Sequence, residues 1–222
     1  MNLQIIPNAA AQRTAKPLKP LPEPGTYEFA VIDANDDRRQ AVEAFIAARF
    51  YVAHNAQITS FMPKLLALFD QTGAIKAAIG VRAANHDDLF LEHYFDQSIE
   101  QVIGEKVNSG QSNIDRSQVV EVGNLASVDR FASRRLFEML ALFLIKNRFQ
   151  WVVFTGCQSL RQIFKRMRLE LLALGEAKES RLPESLGSWG SYYHDNPQVL
   201  VGHLSAGIGL AEAATAMTRG TV

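Results

Sequence analysis

The sequence predicts a single mixed-sheet α/β domain, and three observations carry that prediction. Two apolar runs, VVEVGNLAS and WVVFTG, flank a helix-periodic segment within about 40 residues, the signature of a crossover joining parallel strands. Upstream, LLALFD and AIKAAIGVRAA flank Gln71-Thr72-Gly73 and read as an antiparallel hairpin. The chain has 222 residues, 47% of them hydrophobic, enough for one sizeable core.

The elements follow in order. Residues 1–25 hold Pro7, Pro17, Pro20, Pro22 and Pro24 and few large apolar side chains, so they are expected to form a disordered leader. The domain is expected over 26–205, with a tail over 206–222. YEFAVID alternates and is β-rich. Asp36 and Asp37 then offer a cap to a helix through RRQAVEAFIAARFYVA. After the hairpin, LFLEHYFDQSIEQVIGEKV carries Leu91, Phe95, Ile99, Val102 and Ile103 at helical spacing, and one helix is expected there. NSGQSNIDRS reads as a loop. ASRRLFEMLALFLIKNRF is the crossover helix, SLRQIFKRMRLEL a further helix, and LALGEAKES and QVLVGHLS closing strands.

Charge and cysteine usage narrow the function classes. Twenty-three basic and twenty-three acidic residues cancel, so no global field draws the chain to nucleic acid or an anionic membrane. Cys157 is the single cysteine and forms no internal bridge, which fits a cytoplasmic protein. The apolar stretches around Leu136–Ile145 and Trp151–Phe154 are broken by charges well short of the roughly 20 residues a spanning helix needs. The five histidines show no ligand spacing, so no metal is expected.

A mixed sheet places its ligand where neighbouring strands diverge, here the carboxyl end of VEVGNLASVDR. Glu121 sits between Val120 and Val122, so its side chain points opposite theirs, and a desolvated carboxylate there suits a general base. The competing reading is a paired structural acid, with Arg82 as its natural partner on an adjacent strand. Asn124 follows Gly123 and marks a splay in which an amide donor could hold a reacting carbonyl. Cys157 is expected to be an inert thiol. Trp189, Tyr192 and Tyr193 form an aromatic loop that lids a pocket or plugs the sheet end, and Arg161, Lys165, Arg166 and Arg168 put a basic face on the last helix.

VVEVGNLAS with its following helix, WVVFTG, LRQIF, the upstream LFLEHYFD and SIE, and the late SWGSYY resemble the thermostable hemolysin family from about Tyr27 to Leu204. EVGNLA is the most specific part. The family name implies a membrane-active, lytic protein. The organisation is similar instead to the N-acetyltransferase superfamily, the acyl-CoA N-acyltransferase fold, and within it to the autoinducer (acyl-homoserine-lactone) synthases. That resemblance implies an acyltransferase passing an acyl group from a thioester to an amine or similar small-molecule acceptor. A catalytically inactive binding domain of the same fold is the further alternative.

Residue by residue, the synthases' G-x-x-R strand motif is shortened here to Gly80-Val81-Arg82, and their W-E-x-S-R-F strand is matched at Glu121 but not at Asn124. The synthases' acidic pair, in the region that receives S-adenosylmethionine, has no counterpart in HNAQITSFMP, so homoserine-lactone synthesis is not expected. Glu92 and Glu100 are positions the hemolysin pattern also carries, and both are expected to line the cleft. Leu125 and Ala126 at the strand end, with Arg130, Ser133 and Arg134 beyond, are the expected donor-binding residues. The stretch Val128 to Arg135 lacks the glycines with which the superfamily seats the coenzyme A pyrophosphate. Its arginines still match a phosphate, including that of a carrier protein's phosphopantetheine arm, or simply form a solvated helix start. The expected co-substrate is thus acyl-CoA or an acyl carrier protein.

Overall fold

The computed structural model describes residues 26–107, 114–166 and 170–204. The expected leader at 1–25, most of the expected loop after Val107, and the tail at 206–222 lie outside the described residues. Among the described residues, seven strands form one sheet: β1 (Glu28–Ile32), β2 (Lys64–Phe69), β3 (Ile75–Ala83), β4 (Val119–Ser127), β5 (Trp151–Gly156), β6 (Leu171–Glu176) and β7 (Gln198–His203). Their order is β1-β2-β3-β4-β5-β7-β6, and every neighbouring pair is antiparallel except β4 with β5. The hairpin β2–β3 and the crossover β4–β5 are the two units expected from the apolar runs.

Four α-helices of the described residues cover the sheet: α1 (Arg39–His54), α2 (Ile99–Val107), α3 (Arg130–Lys146) and α4 (Gln158–Arg166). Leu136, Leu140 and Leu144 recur every four residues on α3, so they share one stripe, and that stripe packs on Leu66, Ile79, Val120, Val122 and Phe154. The opposite face carries α1 through Val42 and Ile46, and α2 through Ile99, Val102 and Ile103. Alternation along β4 therefore sends Val120 and Val122 to the α3 side, and Val119 and Glu121 to the α2 side.

Two local expectations need correction. The helix expected through 89–107 is broken: a 3-10 turn spans Phe90–Tyr94, Phe95 is extended at φ −122°, and α2 begins only at Ile99. Glu92 divides it, because its carboxylate accepts the Leu89 N–H at 2.8 Å behind and the Ile99 N–H at 2.8 Å ahead. Side-chain oxygens that take up backbone donors stop a helix as readily as they start one. The expected acidic cap of α1 is displaced too. Asp36 accepts the Arg38 N–H at 2.9 Å and grips its guanidinium, so the carboxylate turns the chain one step before the helix, and Arg38 at the cap position makes no side-chain cap bond.

Candidate functional site

The parallel pairing of β4 with β5 runs from Val119↔Trp151 to Val122↔Phe154 and ends there. β4 continues to Ser127, while Thr155 and Gly156 of β5 pair with β7 instead. The strands part, and a cavity of about 490 Å³ occupies the wedge. Its walls come from both faces of the sheet: Phe137, Leu140 and Leu144 of α3 on one side, and Glu121, Phe90 and Trp189 on the other. A pocket lined from both faces offers apolar walls beside α3 and a polar group on the other side.

A bulge shapes the β4 edge. Gly80 pairs with Gly123 and Ala78 with Ala126, so Ile79 faces both Asn124 and Leu125. Asn124 adopts the left-handed region at φ 51°, which asparagine tolerates better than most residues. Its side chain ties down the segment before β2: Oδ1 accepts the Met62 N–H at 2.8 Å and Nδ2 donates to the Ser60 carbonyl at 3.4 Å. Met62 then covers Gly80 and Gly123, where any Cβ would meet its side chain at 2.5 and 2.6 Å. Asn124 lines the cavity, but its amide is engaged in this tether.

Glu121 is 3% exposed, the buried acid beside the wedge. Oε2 accepts the Phe90 N–H at 2.8 Å and Oε1 the Leu91 N–H at 3.0 Å. Burial pushes its carboxyl up to about 7, against the opposing pull of those two N–H groups and the positive charge of Arg82. Arg82 stands opposite Glu121 in the β3–β4 register and lines the same cavity. Its Nη1 donates to the Asp88 carbonyl at 3.0 Å, and its Nε is buried with no partner among the described residues.

The remaining expected residues divide. Leu125 and Ala126 line the wedge. Glu92 does not: both its oxygens are held by Arg116, at 2.6 and 2.8 Å, besides the two backbone donors, and Arg116 also reaches Glu100 at 2.7 Å. Burial opposes the charge of Glu92, but these donors outweigh it and hold its carboxyl below the usual range. The expectation that Glu92 and Glu100 line the cleft is thus replaced by a buttress between the 3-10 turn and α2. Arg130, Ser133 and Arg134 are also not among the described residues lining the cavity. Arg130 lies over the Phe131 ring, Arg134 pairs with Glu138 at 3.3 Å, and Ser133 Oγ donates to the Asp129 carbonyl. At this helix start Asp129 itself accepts the N–H groups of Phe131 at 2.7 Å and Ala132 at 2.9 Å.

Some lining residues carried no motif in the sequence. His54 ends α1, its ring lies 5.3 Å from that of Tyr192, and burial pushes its imidazole down, partly countered by Asp195. Tyr94 and Tyr193 share a 2.6 Å hydroxyl contact at the wall, and burial raises both phenols, Tyr193 to about 12. Trp189, Tyr192 and Tyr193 do form the aromatic wall, fixed to the end of α1 where the Ser191 N–H donates to the His54 carbonyl at 2.8 Å. Cys157 lines the cavity with its sulfur 3.0 Å from Ser159 Oγ. Among the described residues no His, Cys, Asp or Glu cluster could hold a metal ion, and no helix is long and apolar enough to cross a membrane.

Solved structures share this architecture. The chain aligns with FeeM, an N-acyl amino acid synthase from uncultured soil microbes, at TM-score 0.58 and 11% identity over 81% of this chain and 92% of that one. It aligns with the AHL synthase LasI at TM-score 0.54 and 10% identity, covering 81% and 91%, and with the CoA-dependent acyl-homoserine lactone synthase MesI at 0.54 and 10%, covering 85% and 95%. At such identity the likeness shows the fold, an acyltransferase fold of the N-acetyltransferase type. No curated protein matches the chain. A sequence-family model, Thermostable hemolysin, matches residues 32–208, from the end of β1 past the last residue of β7. With β2 to β7, the wedge and the buried acid all inside that span, the chain belongs to the thermostable hemolysin family.

Proposed function

We propose that the protein is an acyltransferase that accepts an acyl thioester in the β4–β5 wedge and passes the acyl group to an amine. The observation that carries this reading is Glu121: a carboxyl with a pKa near 7, beside a cavity lined from both faces of the sheet. A base poised near the working pH combines a useful ionised fraction with a useful proton affinity. The acyl chain would enter between Phe137, Leu140 and Leu144, leaving the thioester carbonyl at the parted strands. The amine nitrogen attacks the carbonyl carbon, forming the C–N bond as the carbonyl electrons move to oxygen. Glu121 takes the proton from nitrogen, collapse of that oxyanion breaks the C–S bond, and Glu121 returns the proton to the departing sulfur, which leaves as the thiol. The chemistry of the neighbouring synthases is of this kind, and their donors are the natural starting panel.

The α3 N-terminus favours a carrier-protein thioester over coenzyme A. A diphosphate seated there needs free backbone N–H groups, and the Asp129 carboxylate already takes two of them and adds a negative charge. The reading is tested by thiol release from octanoyl-CoA and octanoyl carrier protein in the presence of mixed amines, with amide product identified by mass spectrometry. Turnover that falls at least about a hundredfold in Glu121→Gln, with the fold intact, is the expected result. Equal turnover in the variant, or no amide from any donor, overturns it.

A further inference from the structure

We propose that the acyl acceptor is an amine that also bears a carboxylate, an amino-acid-like molecule, and that Arg82 binds that carboxylate. This rests on the acyl-transfer reading of the same cavity and specifies its second substrate.

Six arginines elsewhere in the described chain have acidic partners, whereas Arg130, Arg148 and Arg161 have none. Arg38, Arg39, Arg116, Arg134, Arg135 and Arg181 each pair with a carboxylate. The two arginines on the cavity wall do not: neither Arg82 nor Arg49 has an ion pair among the described residues. Arg82 is held at one corner only, by Nη1 to the Asp88 carbonyl. This leaves its Nε–Nη2 edge without a partner, and Nε is already out of contact with solvent. In Arg38 that same edge grips the Asp36 carboxylate with two bonds of 3.0 Å. Two parallel N–H groups at this spacing fit a carboxylate better than any neutral acceptor, and a buried donor left unsatisfied favours a ligand that completes it.

Glu121 cannot be that ligand, because its oxygens are turned to the N–H groups of Phe90 and Leu91. The donor's phosphate is also excluded. Six strand steps separate Glu121 from Ser127, about 20 Å at the rise of a β-strand, so a phosphate near the start of α3 is remote from Arg82. What remains beside Glu121 is a site with an anionic acceptor of protons and a cationic fork on adjacent strands. An amino acid matches both: its carboxylate faces Arg82, and its ammonium, once it has lost one proton to solvent, presents the attacking nitrogen with an N–H toward Glu121. The aromatic wall of Phe90, Tyr94 and Trp189 supplies room for an apolar side chain, and the Trp189 Nε1–H, buried without a partner, adds a further donor.

Calorimetric titration of the full chain with phenylalanine, phenylalanine amide and phenethylamine isolates the carboxylate, since the three share one ring and one amine. Phenylalanine is expected to bind at least about tenfold tighter than either analogue, with the difference lost in Arg82→Gln and only partly kept in Arg82→Lys. The same ordering is expected for leucine over 3-methylbutylamine. Equal or tighter binding of the analogues that lack the carboxylate, no binding of any of the ligands, or a preference that survives in a folded Arg82→Gln, overturns the proposal. The wild-type comparison decides the matter even if the variant does not fold. Acyl transfer to phenethylamine in preference to phenylalanine would remove the proposal and leave the acyltransferase reading standing. A carboxylate preference in binding without any amide formation would do the reverse.

Discussion

Arg82 and Glu121 are register partners on β3 and β4, yet they form no ion pair. Each is turned to backbone, the acid to the N–H groups of Phe90 and Leu91 and the base to the carbonyl of Asp88. The 3-10 turn and the residues leading into it thus hold the two charges apart at the wedge. Direct pairing would pull the carboxyl down and neutralise the guanidinium. Separation keeps the acid's affinity for protons and the fork's for anions.

The raised pKa of Glu121 makes stability and activity run in opposite directions with pH. The unfolded chain ionises this group at the ordinary 4.5 and the folded chain at about 7. The associated stabilisation is fully present below 4.5 and is lost as the pH rises to about 7, a fall of about 3 kcal/mol. Chemical denaturation at pH 5 and pH 8 is expected to show this fall in the wild type and a flatter profile in Glu121→Gln. The acyl-transfer rate as kcat/KM is expected to rise through the same interval to a plateau, because only the ionised form accepts a proton. A rate that is flat across this interval would remove Glu121 from the proton transfer.

Glu92 carries a different expectation. Four hydrogen bonds end on its carboxylate, from Leu89, Ile99 and twice from Arg116, and none comes from the cavity side. Glu92→Gln is expected to lower stability by about 1–3 kcal/mol through the loss of charged acceptors. The pH dependence of turnover should be unchanged below the melting temperature. A shift in that profile with stability preserved would put Glu92 back into the chemistry.

These two acids show what the sequence could and could not disclose. Glu121 was legible because period-two alternation inside an apolar strand sends its side chain to the face opposite Val120 and Val122. The strand–helix–strand order likewise fixed where β4 and β5 part. Glu92 misled, because its hydrogen bonds are made over long sequence separations: Arg116 lies 24 residues away. Asn124 was legible as a bulge or splay in the strand, and β4 carries a register shift and a left-handed backbone there. Its tether to Ser60 and Met62, more than 60 residues upstream, has no local signature. His54 and Arg49 reach the cavity only because α1 folds over the sheet, and nothing in their neighbours announces it.

The family's name suggests lysis, and the proposed acyl transfer would give it a chemical route. An acyl chain joined to a zwitterion or amine is an amphiphile, whereas no described helix can cross a bilayer. Purified protein is expected to leave dye-loaded phosphatidylcholine vesicles intact, and to cause leakage once thioester donor and amine acceptor are both added. Leakage from protein alone, unchanged in Glu121→Gln, would favour a direct membrane action.

Asp129 offers the sharpest test of the donor. The first turn of α3 projects N–H groups of the kind that would cradle a diphosphate, but Asp129 Oδ1 occupies those of Phe131 and Ala132. Serine also caps a helix through its side-chain oxygen, at little cost in stability, and carries no charge. Asp129→Ser is therefore expected to bind coenzyme A several-fold more tightly than the wild type, with the gain shrinking as salt is added. Binding of pantetheine, which has the same arm but no phosphate, should not change. If the wild type binds coenzyme A tightly and Asp129→Ser weakens it, the carboxylate is organising a diphosphate site in place of excluding one, and the donor is a coenzyme A thioester. Weak binding of coenzyme A by the wild type, relieved in the variant, leaves the carrier-bound arm as the donor that fits, since its phosphate is a single diester on a protein surface.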